Sequence, residues 1–80
     1  MPTVLRVDGL QFVMWPNDHS PTHVHVFSAE SEAKIELGNA EGRPRLISNR
    51  RMSPAMLAKA LKAVSDHRVM LLQRWMEIHG

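Results

Sequence analysis

Three histidines, His19, His23 and His25, fall within seven positions of a chain of 80 residues that holds five histidines in all. His23 and His25 are two apart, and on a strand that spacing sends both imidazoles to one side while Val24 and Val26 point to the other. His19 arrives from the turn before them. Two imidazoles can divide general base and general acid work, as needed when an RNA 2′-hydroxyl attacks its own phosphodiester without a metal. A zinc or nickel ion held by His19, His23 and His25 is a second arrangement, with Asp18 as the other candidate ligand. The third reading assigns no chemistry: histidines on a strand face often fill a polar surface or an interface.

The metal is the least favoured of the three. It requires the Ser20-Pro21-Thr22 turn to bring His19 within about 2.0–2.1 Å of an ion already touched by two strand imidazoles, with carboxylate support from Asp18 alone. Small domains built on zinc usually recruit thiolates, and this chain has no cysteine. No metal and no cofactor is therefore expected, and a chelator should leave the melting temperature unchanged.

Cations near such a cluster decide whether it faces phosphate. Lys34 sits between Glu32 and Glu36 on the outward side of its own apolar alternation, so a strand pairing beside His23–Ser28 would set it near the two imidazoles. Otherwise it is a solubilising cross-strand charge. Residues 1–40 hold two cations against five acids, whereas residues 41–80 hold eight against three. Arg43, Arg45, Arg50 and Arg51 fall in nine residues without an acid, a density that attracts phosphate or an acidic protein surface. Arg45, Arg50 and Arg51 are the candidate anion-binding residues, since they precede a helix start whose amides favour the same charge. A solvated basic loop is the plainer alternative.

The elements that must position these residues divide the chain in two. Val4, Leu5 and Val7, then Asp8-Gly9, then Leu10 to Trp15 read as a hairpin, because Asp and Gly tolerate the left-handed turn. Pro16-Asn17-Asp18 stops it, His23–Ser28 resumes in strand style, and Glu32–Leu37 alternates charge with Ala33, Ile35 and Leu37. Between residues 39 and 51 only Leu46 and Ile47 look buried, with room for a short edge strand. Ser53-Pro54 is a strong helix start, Ser as the cap and Pro at the first position. Leu57, Leu61, Val64, Leu71, Trp75 and Ile78 then form an apolar stripe interrupted at Arg68, which predicts one long helix or two with a kink near Asp66. Trp75 is read as core, and His67 and His79 as weak candidates for chemistry.

The expected architecture is α+β: a small antiparallel sheet of about four strands, packed by one long or kinked C-terminal helix, in a single domain over residues 1–80. A core of this size supplies only about 3–5 kcal/mol, and without disulfides a partner chain or a homodimer is expected to help. No apolar run approaches the roughly 18 residues of a membrane span, which predicts a cytoplasmic protein without membrane contact. There is no G-x-x-x-x-G-K, no G-x-G-x-x-G and no H-E-x-x-H, which excludes the common nucleotide, dinucleotide and zinc-protease signatures.

M-P-T-V-L-R-V-D-G, N-D-H-S-P-T-H-V-H-V, E-A-K-I-E-L, S-P-A-M-L and the closing H-R-V-M-L-L-Q-R-W-M-E-I-H-G together resemble the bacterial family of domain of unknown function 4160, nearly end to end. That resemblance implies the toxin of a type II toxin–antitoxin pair, neutralised by an antitoxin of the domain of unknown function 2442 class. It also implies that His23, His25, Lys34, His67 and Trp75 are recurrent positions, without giving their chemistry. The arginine loop is individual to this chain. A metal-independent ribonuclease-like toxin, with His23 and His25 as acid and base, His19 and Asp18 as possible helpers, and Lys34 or Arg51 steadying negative charge, is the preferred expectation. A binding or regulatory module that contacts a partner protein or nucleic acid without catalysis is the alternative.

Overall fold

A computed structural model describes residues 3–38 and 42–79. Five strands, β1 (Thr3–Val7), β2 (Leu10–Val13), β3 (His23–Ser28), β4 (Ser31–Glu36) and β5 (Arg45–Arg50), precede two helices, α1 (Pro54–Asp66) and α2 (Arg68–His79). The strands pair antiparallel in chain order, a five-stranded meander with β3 at its centre. The fold is thus the α+β class expected, with β5 realised as the edge strand. Among the described residues, no helix is long and apolar enough to cross a membrane.

Asp8 and Gly9 both take positive φ, 53° and 76°, which is the backbone that a two-residue hairpin turn needs and that Gly adopts without strain. Period-2 alternation then sorts the sheet into two faces. Leu10, Phe12, Met14, Val24, Val26, Ala33, Ile35 and Leu37 form the buried side, joined in one core by Ala60, Ala63 and Val64 of α1 and Leu71 and Trp75 of α2. The opposite face carries His23, His25 and Phe27 of β3 beside Glu36, Lys34 and Glu32 of β4, since directly paired residues on antiparallel strands share a side.

The connection from sheet to helices is held by side chains. Asn49 accepts from the Met52 amide at 2.9 Å and donates to the Met52 carbonyl at 3.0 Å. Ser53 then caps α1, its hydroxyl accepting from the Met56 amide at 3.2 Å with Pro54 at the first turn. The chain kinks at His67, whose φ of −110° separates α1 from α2, so the stripe is carried by two helices. Arg68, where the stripe is interrupted, turns back to the sheet and donates from Nε to the Leu37 carbonyl at 3.1 Å.

Leu46 and Ile47 depart from expectation. They are exposed, as are all six residues of β5, and not buried. The register shifts between Lys34 and Ile35, so Lys34 pairs with Ser48 and Ile35 with Leu46, which leaves Ile47 as the extra residue of a bulge. An edge strand bent in this way gives its apolar side chains little to pack against.

Candidate functional site

Trp15-Pro16-Asn17-Asp18 closes a tight turn: the Asp18 amide donates to the Trp15 carbonyl at 3.0 Å, and the Trp15 amide donates back to Asp18 Oδ2 at 3.0 Å. Pro at the second position pre-sets the turn, and Asp returns its carboxylate to the backbone. The carboxylate is thereby aimed at the start of β3. His25 Nε2 lies 3.3 Å from Asp18 Oδ1, and His23 Nε2 lies 3.5 Å from Asp18 Oδ2. The two rings stand edge to face, with centroids 5.1 Å apart. Burial by itself pushes the Asp18 carboxyl up, but the Trp15 amide, the His25 hydrogen bond and the charge of either imidazole when protonated outweigh it. The carboxyl settles below its ordinary value.

The two histidines occupy different surroundings. His23 is 2 % exposed, its Nδ1 donating to the Pro21 carbonyl at 2.7 Å and its ring tilted against Trp75 with centroids 5.2 Å apart. His25 is half-buried, and its Nδ1 comes within 3.5 Å of Glu32 Oε2. The buried Nε2 of His23 and Nδ1 of His25 have no hydrogen-bond partner. His25 has the more exposed ring, but its Nε2 is held by Asp18 and its Nδ1 is buried beside Glu32, while His23 is closed off altogether, so the two rings do not stand as equivalent acid and base.

Lys34 is the direct cross-strand partner of His25, on the same face, as the sequence suggested. The arginines lie farther off. Arg45 is engaged by Glu36, with Nη2 at 2.9 Å from Oε1. Arg50 sits opposite Glu32, two strands and two residues away from His25 or about 12 Å between Cα atoms. Arg51 lines a shallow groove of about 320 Å³ with Ser28, Ser31 and Met56, at the other end of β3 from His23. Arg51 is therefore not a partner of the histidines. His19 is exposed, and it is Asp18 that joins His23 and His25.

One residue read only as a weak candidate for chemistry contributes from a distance. His79, at the end of α2, stacks on Trp75 and places its Nε2 3.1 Å from the Trp15 carbonyl, bracing the turn that carries Asp18. A contact spanning 64 residues leaves no local pattern.

A five-stranded meander with a helix pair on one face and a carboxylate–histidine cluster at the head of its central strand defines a small α+β domain with a built polar site. The chain belongs to the family described as domain of unknown function 4160, whose model matches residues 9–76. That span takes in Asp18, His23, His25, Lys34 and Trp75. No curated protein and no solved structure matches the chain.

Proposed function

We propose that the chain is the toxin component of a type II toxin–antitoxin module, acting on RNA or another phosphate-bearing substrate at the Asp18–His25–Lys34 group. The supporting observation is the pairing of His25, oriented by Asp18 at 3.3 Å, with Lys34 directly across the strand ladder. An imidazole oriented by a carboxylate at one nitrogen can take a proton from an attacking hydroxyl at the other, here Nδ1, which a substrate reaches by displacing Glu32, and a neighbouring ammonium can steady the charge that grows on phosphate. The partner would be an antitoxin of the domain of unknown function 2442 class. Expression of the chain without it should slow bacterial growth, and His25→Ala or Lys34→Ala should relieve the effect with circular dichroism unchanged. Unimpeded growth at comparable wild-type expression sinks the toxin reading.

A second reading, a binding module without catalysis, draws on β5. Its six residues are exposed and include Arg45, Leu46, Ile47 and Arg50, so a free strand edge stands beside basic and apolar side chains. Such an edge can accept a strand from a partner protein. Capture of an acidic protein, with no RNA cleavage at any concentration of the chain, favours this reading over the first.

A further inference from the structure

The polar atoms at the head of β3 do not balance as they stand. Because His23 Nδ1 faces the Pro21 carbonyl, an acceptor, the ring proton belongs on Nδ1 and the Nε2 lone pair points toward Asp18 Oδ2. That nitrogen is buried and unpartnered. His25 meets a carboxylate at each ring nitrogen, Asp18 at 3.3 Å and Glu32 at 3.5 Å, and a neutral ring has one proton to offer. With Nε2 donating to Asp18, the lone pair left on Nδ1 faces Glu32. At the cluster itself the unresolved contact of neutral rings is the His23 Nε2 lone pair against the Asp18 carboxylate, and a cation held between them removes it.

We propose that Asp18, His23 and His25 form a binding site for a divalent transition-metal ion. The three ligand atoms lie within 4.8 Å of one another. Ligands at 2.0–2.1 Å from a tetrahedral ion stand about 3.3 Å apart; His23 Nε2 lies 3.5 Å from Asp18 Oδ2 and His25 Nε2 3.3 Å from Asp18 Oδ1, so each imidazole stands at about that spacing from one oxygen of the carboxylate. Two outer-shell hydrogen bonds are in place and a third is within reach: His23 gives its second nitrogen to a backbone carbonyl, Asp18 takes the Trp15 amide, and His25 Nδ1 stands 3.5 Å from Glu32, the kinds of support that orient ligands around a bound ion. Two imidazoles and one carboxylate suit zinc or ferrous iron in preference to calcium or magnesium.

His23 closes the inner side of this site, while Asp18 and His25 keep side-chain exposures of 14 % and 15 %, with Lys34 the strand partner of His25. Three protein ligands with one open position are the mark of a catalytic rather than a structural ion. This proposal runs against the expectation that the chain holds no metal. The metal arrangement set aside there took His19 as the third ligand, whereas here the Trp15–Asp18 turn supplies a carboxylate in its place. The site stands whether or not the chain is a toxin. If both hold, Asp18, His23 and His25 would hold the ion, the ion would supply the activation of water, and His25 would serve as a ligand and not as the base.

The untagged full chain, stripped with a chelator and titrated calorimetrically with Zn²⁺ alone, should bind one ion per chain and melt at a higher temperature with the ion than without. Glu32→Gln should weaken the affinity roughly 10-fold, as loss of an outer-shell partner does, and Asp18→Asn or His25→Ala by roughly 100-fold or more. Those positions lie outside the core, so circular dichroism should stay constant across the set. Replacing Zn²⁺ by Co²⁺ should give visible absorption bands that Asp18→Asn and His25→Ala abolish. Stoichiometric Zn²⁺ binding that survives in the Asp18→Asn, His25→Ala double variant overturns the proposal, and so does a wild-type chain that binds neither ion. Growth assays play no part in this test, so its outcome is separable from that of the toxin reading.

Discussion

His79 lies nearly parallel to Trp75, with ring centroids 3.8 Å apart and 26° between the planes, while its two ring nitrogens lie 2.9 Å and 3.1 Å from the carbonyls of Trp75 and Trp15. The end of α2 is thus tied to the turn that aims Asp18 at the histidines, and Trp75 touches His23 on its way. Helix, turn and strand meet at the stacked Trp75–His79 pair.

His79→Ala should therefore loosen the cluster as well as the helix end. An aromatic pair and a hydrogen bond are each worth about 1 kcal/mol, so a loss of about 1–2 kcal/mol is expected in urea denaturation. Amide exchange at Trp15 and Asp18 should also quicken. A variant that loses stability with exchange at those two amides unchanged shows that the stack fixes the helix end alone.

Arg68 fills the space that a side chain at position 38 would need, its guanidinium standing against Gly38 while Nε donates to the Leu37 carbonyl. Gly38→Ala should push the guanidinium off that carbonyl, at a cost of about 1–3 kcal/mol for the disrupted contact. The clash is with this one side chain, so the same substitution made on an Arg68→Ala background should cost much less. A double-mutant cycle in urea measures the difference. Additive costs would show that Gly38 is required by the backbone and not by Arg68.

The legible part of this molecule is the part governed by local repetition. Val24 with Val26, and Ala33 with Ile35 and Leu37, announce their buried faces through period 2, and Asp8-Gly9 and Ser53-Pro54 announce a turn and a helix start through backbone chemistry. The His23–His25 pair and the outward Lys34 follow from the same alternation. What was not legible depends on where separate elements come to rest. Asp18 was legible as a candidate, but its place between both imidazoles follows from its bond to the Trp15 amide, and Arg51 is lost to the site because the β5 register carries it to the far end of β3. Leu46 and Ile47 look like core by composition, but burial belongs to the strand's position at the edge and to its bulge.

The last prediction separates the cations by their dependence on salt. If the chain holds single-stranded RNA through phosphate, each cation that meets a phosphate should add about 0.7 to the magnitude of the slope of log affinity against log salt. Lys34, the cross-strand neighbour of His25, is the cation placed to do so, and Lys34→Gln should lower the slope by about that amount. Arg45→Gln should leave it nearly unchanged, because Glu36 already engages that guanidinium at 2.9 Å. Arg51→Gln should also leave it unchanged, since Arg51 sits with Ser28 and Met56 away from the histidines. Fluorescence anisotropy of a labelled oligonucleotide across a salt series reads all three. A slope that falls with Arg51→Gln and not with Lys34→Gln moves the phosphate contacts to the groove at the Ser28 end and removes Lys34 from the site.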